Sequence, residues 1–151
     1  MSRGISLLEV LVVVGILGLL ALGISTAAPT FRKKSDLNAG VETVASLLTD
    51  ARVRTLSSEE NSRFGVYFQA DRAVLFSGGY ATNTPGNIVQ FLPNSIQISS
   101  IALESGTTSV VFKRLTGDTD QYGTIVLKVR EGLSASTTIT IGQRGTIEVN
   151  K

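Results

Sequence analysis

The chain has no cysteine, no histidine and no tryptophan, and only three prolines in 151 residues. Without cysteine there is no disulfide framework, no thiolate metal site and no thiol nucleophile. Without histidine the commonest general base and metal ligand is missing. Only carboxylate, lysine or serine chemistry is left, and neither a G-x-S-x-G nor an S-x-x-K motif is present. The composition argues against an enzyme and supplies no cofactor site. Charge is also sparse. Fourteen Lys and Arg against twelve Asp and Glu leave a net charge of +2, too small to imply a nucleic-acid or membrane-surface partner.

What the chain does have is one long apolar run, Gly4 to Ala28, behind the stub Met1-Ser2-Arg3-Gly4. A membrane-spanning helix needs about 20 apolar residues, so the run predicts a transmembrane half. It is too long for the h-region of an ordinary secretory signal peptide, and no clean A-x-A cleavage site follows it. Its one charge is Glu9. A carboxylate within hydrocarbon costs about 2.5–3.5 kcal/mol on insertion scales and marks a functional residue by default. A snorkelling role at the headgroups is the plainer alternative. Gly15, Gly18 and Gly23 lie in the run, where small residues permit close helix packing.

Gly4, an apolar Ile5, Glu9 at the fifth position counted from Ile5, and an unbroken apolar helix form one pattern. It resembles the N-terminus of type IV pilins and type II secretion pseudopilins. The resemblance implies cleavage between Gly4 and Ile5 by a prepilin peptidase and N-methylation of Ile5. It also implies assembly with other pilins or pseudopilins at an inner-membrane platform, with Glu9 of one subunit paired to the Ile5 amine of a neighbour. A paired carboxylate is penalised far less than a lone one. Ile5 stands where the family most often has Phe, and Pro29 falls later than the family's helix-bending proline. Arg32-Lys33-Lys34 after the run would by the positive-inside rule place the C-terminal side in the cytoplasm. The resemblance implies the reverse: a single-pass inner-membrane protein, in contact with membrane lipid, whose C-terminal domain lies outside the cytoplasm.

Pro29 predicts a kink or boundary, and Ser35 or Asp36 could cap a renewed helix. Leu37, Val41, Val44, Leu48, Ala51 and Thr55 then recur at alternating spacings of four and three. Leu47 and Leu56 widen the stripe. This predicts an amphipathic helix from about Asp36 to Leu56. Beyond the polar break Ser57–Ser62, short strand-like runs follow: 64–68, 73–76, 88–92, 96–103, 110–115, 123–129, 137–141 and 146–149. The expected fold is α+β and pilin-like, a long N-terminal helix (transmembrane half plus amphipathic half) packed against antiparallel sheets. The expected division is a leader at 1–4, an assembly helix at 5–28, a stalk helix at 29–56 and a β-rich head at 57–151.

A second resemblance covers most of the chain. LLTDARVRTLSSEENSRFGVYF, and VVFKRLTGDTDQYGTIVLKV with ITIGQRGTIEV, are similar to the helix-to-strand passage and closing strands of H-type minor pseudopilins and related minor pilins. This favours a minor subunit of a secretion pseudopilus or pilus over a major pilin. The alternative from another class is a DNA-binding minor pilin of a competence pilus. Lys113, Arg114, Lys128, Arg130 and Arg144 are its candidate contacts. Phosphate binding needs a net basic patch, but Asp118, Asp120 and Glu131 lie among these residues, and Gly142-Gln143-Arg144-Gly145 lacks the paired arginines of the DNA-binding relatives. Asp118 and Asp120 alternate as calcium ligands can, but the rest of an EF-hand ligand set is missing. No metal site is expected.

Overall fold

The computed structural model describes residues 6–82, 84–104 and 106–150, and for residues 20–29 the backbone alone. One helix, α1 (Leu7–Leu56), precedes eight strands: β1 (Phe64–Phe68), β2 (Arg72–Ser77), β3 (Ile88–Phe91), β4 (Ile96–Leu103), β5 (Ser109–Val111), β6 (Gly123–Val129), β7 (Ser136–Ile141) and β8 (Ile147–Asn150). The chain divides into two compact units, one ending at Arg32 and one beginning at Lys33.

α1 continues through Pro29. A proline inside a helix removes one hydrogen bond and costs about 3 kcal/mol, and here the flanking turns remain helical past it. Asp36 is not a cap. It lies inside α1, and its carboxylate accepts a hydrogen bond from the Ser95 hydroxyl at 2.6 Å.

The transmembrane half is corrected. Among the described residues, no helix is long and apolar enough to cross a membrane. The architecture is α+β, with the N-terminal helix on antiparallel sheets and no membrane-crossing element among the described residues. The expected single-pass inner-membrane topology is corrected with it.

In the unit beginning at Lys33, the predicted apolar stripe is the buried one. Leu37, Val41, Val44, Leu47, Leu48 and Ala51 all enter the core, and Thr55 is fully buried; Leu56 stays partly exposed. They pack on two four-stranded antiparallel sheets, ordered β3-β2-β1-β5 and β4-β6-β7-β8. Every member of the core cluster falls between Leu37 and Ile141, so this unit contains a whole core of its own. In β4 the buried alternation shifts from Ile96 and Ile98 to Ile101 and Leu103. A bulge between Ile98 and Ser100 causes the shift, because the extra residue moves the pleat by one. The predicted strand 110–115 is shorter than expected. Leu115 is left-handed, at φ 70°, and the Lys113 amide already turns back to the Asp118 carbonyl.

The first sheet is covered on its core face and, over β1 and β2, on the outer face as well. Phe64, Val66, Phe68, Ala73 and Leu75 face the core. Val74 and Phe76 are equally buried but point the other way, on the side where Tyr80 packs. There Tyr80 stacks on Tyr67 at 3.9 Å and meets Phe76 edge-on at 5.5 Å. Gly65 makes room for this layer, since a Cβ at that position would come within 2.7 Å of the Phe76 ring.

Candidate assembly surface

The first turns of α1 carry apolar side chains all round. Leu7, Leu8, Val10, Leu11, Val12, Val13, Val14, Ile16, Leu17 and Leu19 are each about half exposed or more, Leu7 at 83%. A helix that is apolar on every side is normally buried, and exposed apolar patches of this extent mark interaction sites. Gly15 and Gly18 have open space where a side chain would stand, which leaves the backbone approachable there. Glu9 is exposed in the first turn of α1. A carboxylate near a helix N-terminus meets the positive end of the helix dipole. Gly4 and Ile5, the expected cleavage and methylation residues, lie outside the described residues.

The five basic residues singled out for DNA are divided between the two sheets. Lys113 and Arg114 follow β5 on the first sheet. Lys113 Nζ pairs with Asp120 at 2.6 Å, and Arg114 Nη1 donates to the Asn61 carbonyl at 3.2 Å. Arg114 Nε is buried without a partner among the described residues. Lys128 is on β6, and Arg130 just beyond it donates from Nε to the Ile96 carbonyl at 3.1 Å. Arg144 lies in the β7–β8 turn, past Ile141, which pairs with Gly123 at the opposite end of β6. Arg130 and Arg144 are thus a strand's length apart, about 20 Å.

The acidic loop holds an internal cation, since the Lys113 ammonium sits on Asp120. No group of three His, Cys, Asp or Glu among the described residues could hold a metal ion.

Two features had no signal in the sequence. Arg52, on the polar side of α1, donates from Nε to the Gly117 carbonyl and from Nη2 to the Arg144 carbonyl, each at 3.3 Å. It ties two loops of different sheets to the helix. Phe91 is 64% exposed on the edge strand β3, with the Arg72 guanidinium 5.1 Å over its ring.

No protein-family model matches the sequence, and no characterised protein matches it by sequence alone. One solved structure is similar: the type IV minor pilin FimU of Pseudomonas aeruginosa, at 14% identity and a TM-score of 0.58. The match covers 80% of this chain and 92% of that one. The similarity shows a pilin-like fold.

Proposed function

We propose that this chain is a structural, non-catalytic subunit of a pilus-type filament, specifically a minor subunit of the H-type pseudopilin kind. Prepilin peptidase cuts it between Gly4 and Ile5, Ile5 is N-methylated, and the subunit joins its neighbours through the first turns of α1. Glu9 pairs with the Ile5 amine of an adjacent subunit and sets the axial register. The observation that carries this reading is the single carboxylate in the first turn of a helix whose other early side chains are apolar and uncovered. Once such helices bundle, an unpaired carboxylate is strongly disfavoured and a paired one is not. The pilin-like fold supports the reading, as does the N-terminal sequence pattern.

The test is the Glu9→Gln and Glu9→Val variants, with assembled filament separated from free subunit. Both variants accumulate to wild-type levels, and their share in filaments falls by an order of magnitude or more. Wild-type incorporation would remove Glu9 from assembly. Mass spectrometry of the mature N-terminus tests the class: a chain beginning at methylated Ile5 is expected, and an intact Met1 would overturn the reading.

A further inference from the structure

The two outer strands of the first sheet differ in how their free backbone groups are used. On β5 the Val111 amide points away from β1 and is capped by the Gln121 side chain at 3.1 Å. On β3 the Leu92 amide donates to the Asp71 carbonyl on the β2 side. Backbone direction alternates along a strand, so Ile88 and Gln90 also bond toward β2, and Val89 and Phe91 point their N–H and C=O groups outward. Nothing among the described residues pairs with them, and β3 ends the sheet. The same two residues carry the exposed apolar side chains of the strand, Val89 at 42% and Phe91 at 64%.

The edge of β4 is better protected. Its Ile96 carbonyl accepts from Arg130, and its Ile98 amide donates to Ala70. The edge of β8 carries a charge, Glu148, so a second copy there would bring like charges together across the strands. Strand β3, Ile-Val-Gln-Phe, carries none.

We propose that β3 is a self-pairing edge, which joins the β3 edge of a second copy of this chain in antiparallel register about a twofold axis through Gln90. In that register Val89 lies opposite the second copy's Phe91, and each such pair exchanges both of its hydrogen bonds. The exposed side chains of Val89 and Phe91 then cover one another on the outer face. Gln90 meets its symmetry mate on the inner face, beside a groove of about 330 Å³ lined by Thr43, Ser46, Leu47, Asp50, Ile88 and Gln90. The interface is isologous and closed. It uses both free β3 edges, and Gln121 blocks the far edges, so the joined sheet stops at two copies. Unpaired edges invite exactly this kind of strand addition. The inference is independent of the helix-assembly reading, because it concerns only the unit beginning at Lys33, which contains its own core.

The experiment is sedimentation equilibrium of residues 33–151, from micromolar to sub-millimolar concentration, for the wild type, Val89→Pro and Phe91→Lys. Proline at 89 deletes an outward amide that the sheet's own ladder does not use, a position where edge strands tolerate it. Phe91→Lys keeps the backbone and places a cation in the apolar contact. The wild type is expected to dimerise with rising concentration, and both variants to stay monomeric with melting temperatures near wild type. A wild type that stays monomeric throughout would overturn the proposal. So would a dimer that survives Phe91→Lys, whether or not Val89→Pro folds. A monomeric wild type that pairs only with a different filament subunit would assign the edge elsewhere and also overturn it.

Discussion

The Phe64 amide donates to Thr55 Oγ1 at 3.0 Å, and the same hydroxyl donates to the Ala51 carbonyl at 2.7 Å. Thr55 thereby joins the last turn of α1 to the first residue of β1 across the polar break Ser57–Ser62, and it is fully buried. A hydroxyl in the last position of an apolar stripe looks like a weak core residue in the sequence. In the fold it satisfies a buried strand amide that would otherwise be orphaned.

Thr55→Val keeps the shape and removes the acceptor. An unsatisfied buried donor costs about 1–3 kcal/mol, so the variant should lose stability in that range. Thr55→Ser should lose less, because the acceptor is retained. Denaturant midpoints of residues 33–151 measure both. A Val variant as stable as wild type would mean that the Phe64 amide finds another partner.

Gly145 is left-handed, at φ 68°, and a Cβ there would collide with the Gly117 carbonyl and come within 2.7 Å of Arg52 Nε. The left-handed conformation alone costs a non-glycine residue about 1–2 kcal/mol. Gly145→Ala should exceed that, because the added methyl also breaks the Arg52 bridge. Arg52→Ala should remove part of the same energy, so the double variant falls short of the sum of the singles. Additive losses in a double-mutant cycle would show that the glycine and the arginine act separately.

The Lys113–Asp120 pair is short but exposed, at 50% and 70%. Exposed ion pairs contribute about 0–1 kcal/mol, so Asp120→Asn should change stability by less than about 1 kcal/mol on the same grounds. Because Lys113 already pairs with Asp120 and no metal-holding cluster lies among the described residues, millimolar calcium should leave the melting temperature unchanged. A calcium-dependent rise that Asp120→Asn abolishes would turn the loop into a metal site.

Much of the fold was legible because side-chain periodicity is local. Spacings of four and three from Leu37 to Thr55 marked the buried face of α1, and strand-like runs between turn residues marked β1, β4 and β6 with matching bounds. Where local signals failed, a competing term decided. Pro29 was outweighed by the helix around it, and Asp36 found Ser95 instead of a helix terminus. Of the candidate site residues, Glu9 was legible as the one charge in an apolar run. The division of Lys113, Arg114, Lys128, Arg130 and Arg144 between two sheets was not, because it depends on which strands are neighbours.

The sequence by itself determined the helix, its buried stripe, the strands and the scarcity of catalytic chemistry. Each of these follows from residue type and near-neighbour spacing. Tertiary structure alone decided that β5 pairs with β1 while β3 is left at an edge, and that Arg52 reaches two loops. It also decided that a second apolar layer lies under Tyr80. Strand order is set by contacts between residues tens of positions apart, and local periodicity carries no information about which of those contacts forms.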